Sequence, residues 1–172
     1  MLTKKHSNLF NIVASPIEAN RFISFGKVIK ADPAHMQYIN NGRTKRYHDL
    51  APITTYGTNP SVLFNIFRGR PFSFPMNIRM VERHPYSSQT FFPIDNISFL
   101  VVVAQDNNGI PQKPQAFFTH VGEGVHYHAN VWHHPLLVLE KTSDFIVIDH
   151  KCEENNIEEY FYNKTYRICC RE

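Results

Sequence analysis

The chain has 172 residues, of which 42% are hydrophobic and 19% are charged. That composition supplies enough apolar surface for a packed core and excludes an intrinsically disordered chain. The formal net charge is only +3, with Lys and Arg scattered along the chain, so no nucleic-acid partner is expected. We predict a single domain over residues 1–172, with an N-terminal arm (1–14) and a C-terminal tail (151–172).

A short helix is the first predicted element. The basic N-terminus is not followed by an apolar run of signal-peptide length. Ser15-Pro16-Ile17-Glu18 has the form of a capping box with proline at the first helical position. Gly26 is then placed to end the helix.

The rest of the chain is rich in strand patterns. Residues 99–104 form a continuous apolar run, which is typical of a strand buried on both faces. Asp106-Asn107-Asn108-Gly109 predicts a turn between two strands. Many short strands with closely spaced turns favour a β-sandwich or a closed barrel. The predicted strands cover residues 77–83, 89–93, 99–105, 115–119, 136–141 and 145–149. No run approaches the roughly 20 apolar residues of a membrane helix, so no membrane partner is expected.

Side chains that can act in catalysis or ligand binding are concentrated in a first segment, residues 82–89. On a strand, Glu82 and His84 point to the same face. Pro85 then interrupts the ladder, and the next strand can return Gln89 to that face. The segment therefore predicts a carboxylate, an imidazole and an amide in one pocket.

A second segment, residues 122–135, carries four histidines. His126 and His128 share a face by alternation, whereas His133 and His134 must point in opposite directions if the chain is extended. We therefore expect at least one of His133 and His134 to serve packing. A carboxylate with imidazoles can hold a divalent metal, or it can act as general acid and base near neutral pH. The residues alone leave both uses open.

The C-terminal tail is polar and acidic from Lys151 and then aromatic, and we expect it to wrap the barrel or to pad a dimer contact. All three cysteines lie there: Cys152, Cys169 and Cys170. An odd number of clustered cysteines does not suit a disulfide framework. We therefore predict a reducing, cytoplasmic location.

At these segments the sequence resembles the ureidoglycolate lyase family of allantoin breakdown. The resemblance spans roughly residues 17–150. Its strongest part is Glu82-Arg83-His84-Pro85, followed by Tyr127-His128 and Trp132-His133-His134-Pro135. Further matching stretches are Ile39-Asn40-Asn41-Gly42, Arg46-Tyr47-His48-Asp49-Leu50, Phe67-Arg68, Ser88-Gln89, residues 99–104, Ala116-Phe117 and Asp144-Phe145.

The resemblance implies an all-β, cupin-type (jelly-roll) β-barrel and a homodimer. It further implies an enzyme that cleaves the small molecule (S)-ureidoglycolate into glyoxylate and urea, in some members with Ni²⁺. Three positions depart from the family pattern. His126 stands where Asn is usual, Ala129 where Arg is frequent, and His150 where Arg is usual.

Roles for individual residues follow from the residue chemistry and the resemblance together. We expect Glu82, His84 and His128 to be catalytic, and the same three to hold a metal if one is bound. The expected substrate-binding residues are Arg46, Arg68, Gln89, His126, Tyr127 and His134. The alternatives are a metal-dependent cupin dioxygenase or isomerase acting on another small hydroxy acid, and a cupin binding module without enzymatic activity.

Overall fold

A computed structural model describes residues 9–169, which form sixteen strands, one helical turn (α1, Ala19–Phe22) and a 3₁₀ turn (Pro33–His35). Strands β1 to β8 are Leu9–Val13, Ser15–Pro16, Gly26–Ile29, Met36–Ile39, Thr44–Tyr47, Ser61–Gly69, Met76–Arg83 and Gln89–Pro93. Strands β9 to β16 are Leu100–Ala104, Asp106–Asn107, Ile110–Pro111, Gln115–Phe118, Gly124–Tyr127, Trp132–His133, Ser143–Lys151 and Glu158–Cys169. No helix in this part of the chain is long and apolar enough to cross a membrane.

Two large sheets form the body of the protein. One has seven strands in the order β1-β16-β7-β14-β9-β12-β2, and the other has five in the order β3-β13-β8-β15-β6. Their facing sides share one apolar core, with Val101 and Phe117 from the first sheet and Phe91, Val125 and Phe145 from the second. This nearly closed, barrel-shaped arrangement confirms the predicted cupin-like β-barrel.

Strand β9 is buried on both faces, as its continuous apolar run predicts. Val101 and Val103 point into the barrel core. Leu100 and Val102 pack on the other side in a second apolar cluster that includes Ile78. A central strand with apolar cover on both faces provides a rigid support for the neighbouring strands, β14 among them.

The predicted N-terminal helix is much shorter than its capping-box pattern suggested. Ser15 and Pro16 are not helix-capping residues, because their backbone forms β2 and pairs with β12. Gly26 does not end the helix and instead opens β3, which pairs with β13. A Cβ at Gly26 would lie 1.8 Å from the carbonyl oxygen of His126. Glycine is therefore required for the close approach of β3 to β13.

The predicted strand over residues 136–141 is wrong. Leu137 makes an isolated bridge to Leu100 of the seven-stranded sheet, whereas Val138 makes one to Pro71, just after β6 of the other sheet. The two side chains accordingly enter different apolar clusters. The segment is apolar because it crosses between the two sheets and not because it runs along one.

The C-terminal segment differs from the expected wrapping tail. Strand β16 lies inside the seven-stranded sheet, between β1 and β7. It pairs with β1 in parallel and with β7 in antiparallel register, where Glu159 stands opposite Glu82. Most of the tail is therefore part of the sheet that carries the candidate site. Cys170 lies outside the described residues.

Candidate active site

Glu82, His84 and His133 form a compact group at the end of β7. His133 on β14 is the direct partner of Glu82 across the antiparallel pair. The Glu82 Oε1 atom lies 3.9 Å from His84 Nε2 and 3.8 Å from His133 Nε2. One potential ligand atom from each residue lies within 4.8 Å of the others. Strand alternation places Glu82 and His84 on one face, and the β7–β14 register adds His133 to it.

Backbone carbonyls select the tautomer of both histidines. His84 Nδ1 lies 2.7 Å from the carbonyl oxygen of Asn156, and His133 Nδ1 lies 2.9 Å from that of Val131. Because a carbonyl oxygen can only accept, both Nδ1 atoms must carry a proton, and in the neutral ring each Nε2 atom keeps a lone pair. His84 Nε2 is buried and has no hydrogen-bond partner among residues 9–169. The Nε2 atoms of His84 and His133 therefore both lie within 4 Å of the Glu82 carboxylate.

Gln89 and Tyr127 surround His133. The Gln89 Oε1 atom lies 3.1 Å from His133 Nε2, and turning this amide over would present an N–H donor to the lone pair. The Tyr127 ring stacks against the His133 imidazole from the barrel core. Both residues are predicted from the sequence to bind substrate, and the structure places both beside His133.

Burial governs the ionisation of these groups. Burial raises the pKa of Glu82, and nearby His84 opposes this rise. Burial, with a smaller effect from His84, lowers the pKa of His133 to about 3. The pKa of Tyr127 is raised by burial and by Glu82. At neutral pH, His133 is thus a neutral imidazole that can accept a hydrogen bond or bind a metal ion. The Tyr127 hydroxyl keeps its proton and can donate a hydrogen bond, while protonation of Glu82 is favoured relative to an exposed carboxyl.

A cavity of about 360 Å³ opens beside Glu82 and Gln89. Two exposed arginines, Arg68 and Arg70, also line it. Arg68 forms two hydrogen bonds of 2.7 Å with the Asp144 carboxylate, which holds the pKa of Asp144 below its ordinary value. The remaining lining residues are Phe67, Gly69, Phe72, Phe91, Pro135 and Leu136. The cavity combines an apolar wall, a half-buried acid and two arginines, one of them paired with Asp144, and it suits a small anionic molecule with polar groups.

His126 and His128 were expected in the same group as Glu82 and His84, but they lie elsewhere. His126 points to the face of β13 opposite Tyr127, where its Nδ1 lies 2.9 Å from Thr90 Oγ1. The His128 ring lies next to it, with centroids 6.1 Å apart. In the described part of the chain, the metal-compatible group contains His133 in the place predicted for His128.

Arg46 and His134 also lie apart from the lining of the cavity. Arg46 is exposed on the β4–β5 hairpin, which packs against the 3₁₀ turn. His134 Nδ1 donates to the carbonyl oxygen of Pro135, and burial lowers the pKa of its ring. Neither residue contacts Glu82 or His84 through a hydrogen bond in the described structure.

Three residues near the site were not predicted from the sequence. His133 was left open between packing and function, since alternation alone cannot tell which of two adjacent histidines points inward. Arg70 carries no motif signal, because it lies just beyond β6 and reaches the cavity through the fold. Asn156 lies more than 70 positions from His84 and meets it only through the return of β16 to the sheet.

The chain is similar to known proteins over nearly its whole length. The family profile described as Ureidoglycolate lyase matches residues 10–169. A protein of Brucella anthropi named ureidoglycolate lyase is 49% identical over 158 residues, which cover 91% of this chain and 94% of the relative. Proteins of the same name from Rhizobium etli and Rhizobium leguminosarum bv. trifolii are 49% and 46% identical, each over 89% of this chain and 92% of the relative.

Proposed function

The chain belongs to the ureidoglycolate lyase family, and we propose that it cleaves (S)-ureidoglycolate into glyoxylate and urea at the cavity beside Glu82. It is thus a carbon–nitrogen lyase of allantoin and purine catabolism. The observation that carries the placement of the reaction is the grouping of one carboxyl group with two imidazoles, because Glu82 of that group also lines a cavity together with Gln89, Arg68 and Arg70.

The substrate is a carbinolamide, in which one carbon carries a hydroxyl, a carboxylate and a urea nitrogen. Cleavage requires removal of the hydroxyl proton and protonation of the departing nitrogen. We assign the first step to His84 Nε2, which has a free lone pair, and the second to the Glu82 carboxyl, whose pKa is raised. As the C–N bond breaks, the C–O bond becomes the carbonyl of glyoxylate. Glu82 and His84 are 3.9 Å apart, so a small movement returns the proton from His84 to Glu82.

Binding of the substrate uses the polar residues around the cavity. Arg70 supplies positive charge for the substrate carboxylate, which an arginine fork can bind through two parallel hydrogen bonds. Arg68 also lines the cavity, but both arms of its guanidinium are engaged by Asp144. Gln89 and Tyr127 are suited to hydrogen-bond the ureido group. The predicted roles of His128, His126, His134 and Arg46 stay predictions, and the His128→Ala and Arg46→Met variants in the Discussion test two of them.

The donor set also fits a divalent transition metal. Two imidazoles and one carboxylate are ligands that Ni²⁺ accepts, and the unpartnered His84 Nε2 is the atom that such an ion would satisfy. We propose Glu82, His84 and His133 as its ligands. A bound ion would polarise the substrate hydroxyl and lower its pKa. In that case the carbonyls of Asn156 and Val131 orient the ligands from behind.

We further propose that the enzyme is a homodimer built on the outer face of the five-stranded sheet. Val62, Phe64 and Ile66 alternate on the outer side of β6 and are 51%, 68% and 60% exposed. Their partners on β15 include Ile146 and Ile148. A row of apolar side chains on one sheet face is typical of a surface that is covered in the assembled protein.

A cytoplasmic location is part of the same proposal. Cys152 and Cys169 form no disulfide with each other in the described structure, and cysteines outside disulfides are most compatible with a reducing compartment. Fractionation of the native host, with detection by antibody, measures this directly, and recovery in the secreted fraction would contradict it.

The experiment that tests the reaction follows glyoxylate and urea together after addition of (S)-ureidoglycolate. Metal-stripped and nickel-supplemented protein are compared in parallel. Equal amounts of both products establish the lyase reaction, and the difference between the two preparations measures the contribution of the metal. Ammonia release would indicate a ureidoglycolate-processing hydrolase. Absence of product in both preparations would favour a cupin enzyme for another small hydroxy acid, or a binding module.

A further inference from the structure

Asn156 lies in the loop between β15 and β16 and contacts His84 through its backbone. Its carbonyl oxygen accepts the hydrogen bond from His84 Nδ1 at 2.7 Å. This is the bond that leaves His84 Nε2 without a proton and directed towards Glu82. The position of the Asn156 backbone therefore determines the tautomer and the orientation of the His84 ring.

The Asn156 side chain holds that backbone in place through three hydrogen bonds. Its Oδ1 accepts from the Tyr86 N–H at 2.8 Å. Its Nδ2 donates to Ser87 Oγ at 2.9 Å and to His150 Nδ1 at 3.0 Å. Tyr86 and Ser87 belong to the turn that follows His84. One residue thus binds the His84 ring and the turn that carries it, and only a side-chain amide supplies this combination of one acceptor and two donors.

His150 completes the network on the far side of Asn156. Since its Nδ1 accepts from Asn156, its proton lies on Nε2, which donates to the carbonyl oxygen of Tyr56 at 3.0 Å. The side chain is only 7% exposed. His150 therefore links the loop with Asn156 to the segment before β6, and its two ring nitrogens have opposite roles.

We propose that Asn156 and His150 are positioning residues for His84. They keep its ring in the Nδ1–H tautomer, so that the Nε2 lone pair is available to the substrate or to a metal ion. The kinetic part of this inference rests on the proposed lyase reaction. The tautomer is a property of the folded protein and can be measured without any substrate.

Two measurements on Asn156→Ala test the proposal. Long-range ¹H–¹⁵N spectra of the metal-free protein report the tautomer of each histidine, with His84 assigned by comparison with His84→Gln. We expect one Nδ1–H form in the wild type and a mixture of tautomers in Asn156→Ala. On (S)-ureidoglycolate we expect kcat to fall roughly 10- to 100-fold while KM changes less. Asn155→Ala is the matched control, because Asn155 is exposed and its side chain donates to the nearby Ile157 carbonyl, away from His84.

A pair of His150 variants separates positioning from folding. Glutamine can accept from Asn156 and donate to Tyr56, so His150→Gln should retain the His84 tautomer and most of kcat. Leucine can form neither hydrogen bond, so His150→Leu should show the mixture of His84 tautomers and the lower kcat that are expected of Asn156→Ala. If Asn156→Ala fails to fold, this pair decides the question alone.

An unchanged His84 tautomer and kcat in Asn156→Ala, or equal behaviour of the two His150 variants, would overturn the proposal. A wild-type protein that releases no glyoxylate would instead contradict the proposed function, and the spectra would still decide whether Asn156 positions His84.

Discussion

The imidazole of His133 lies nearly flat against the ring of Tyr127, with centroids 4.3 Å apart and planes inclined by 16°. The same imidazole is fixed at Nδ1 by the carbonyl of Val131. Tyr127 is itself part of the main barrel core. His133 is therefore held by packing on one side and by a hydrogen bond on another, and it presents Nε2 to Glu82 from a rigid scaffold. Such support is what a preorganised catalytic or metal-binding group requires.

Replacing His84 by alanine should lower kcat by at least about 100-fold, because the proposed base is removed. Glu82→Gln should have a comparable effect, since it removes the proposed acid while retaining the shape. Steady-state glyoxylate release measures both. His120→Gln is the control, as His120 is exposed and paired with Glu123 away from the cavity. Near-normal turnover by a folded His84→Ala variant would contradict the assignment of His84 as the base.

Nickel binding should distinguish His133 from His128. We expect the wild type to bind about one ion per chain, and His133→Ala to weaken binding by at least roughly 10-fold because one proposed ligand is lost. His128→Ala should bind as the wild type does. Titration calorimetry of metal-stripped protein, with metal content checked by mass spectrometry, measures the affinities. Weaker nickel binding by His128→Ala, with unchanged binding by His133→Ala, would instead support the ligand set predicted from the sequence, which is Glu82, His84 and His128.

Loss of either cavity arginine should weaken substrate binding. A hydrogen bond to a charged group contributes about 1.5–3 kcal/mol, so Arg70→Met should raise KM by roughly 10-fold or more. Arg68→Met should raise KM less, because the Arg68 guanidinium is already paired with Asp144. Arg46→Met should leave KM unchanged, because Arg46 lies on the β4–β5 hairpin and does not line the cavity. A raised KM in Arg46→Met alone would mean that the hairpin supplies the carboxylate clamp.

His126 should make the fold sensitive to acid. Burial, with smaller effects of His128 and Lys27, lowers the pKa of His126 to about 4, against an ordinary value of about 6.5 in the unfolded chain. The unfolded state therefore binds the proton more readily, and the stability present above pH 6.5 is lost as the pH falls towards 4. The loss at pH 4 is at most about 3 kcal/mol.

Asparagine at position 126 removes this titration and retains a group that can hydrogen-bond Thr90. Denaturant unfolding of the wild type and His126→Asn between pH 4 and 7 should therefore give a shallower pH dependence for the variant. If the free energy of unfolding changed equally with pH in the two proteins, His126 would not have the lowered pKa that its burial implies.

A charge on the outer sheet face should disrupt the proposed dimer. Phe64→Glu places a carboxylate in the centre of the apolar row, where burial of an unpaired charge is strongly unfavourable. Light scattering should give a dimer mass for the wild type and a monomer mass for the variant. Phe161→Glu is the matched control, since Phe161 is equally exposed, at 68%, but lies on β16 of the other sheet. Dissociation by Phe161→Glu alone would move the interface to the C-terminal strand.

Much of the barrel could be predicted because its signals are local. Strands β7, β8, β12 and β15 follow from short apolar patterns bounded by turns, and the double burial of β9 follows from its uninterrupted apolar run. The errors occurred where tertiary pairing outweighed a local pattern. Ser15 and Pro16 join β12 and do not begin a helix, and Leu137 and Val138 divide between two sheets.

The candidate site could be predicted only in part, for the same reason. Alternation brings Glu82 and His84 together within one strand, and the return of the chain after Pro85 adds Gln89. The choice of His133 over His128 depends on the register between β7 and β14, which no local pattern encodes. The contact between Asn156 and His84 depends on the loop before the last strand, and the intervening residues contain no signal for it.

The position of β16 also has a consequence for biosynthesis. Strand β7, which carries Glu82, has β14 on one side and β16 on the other. Among the described strands, β1 is at the edge of this sheet and pairs with β16. The sheet behind the active site can therefore be completed only after residue 169 has left the ribosome. Such long-range closure is typical of slow-folding β proteins, and we expect the catalytic pocket to be completed late in folding, when β16 joins the sheet.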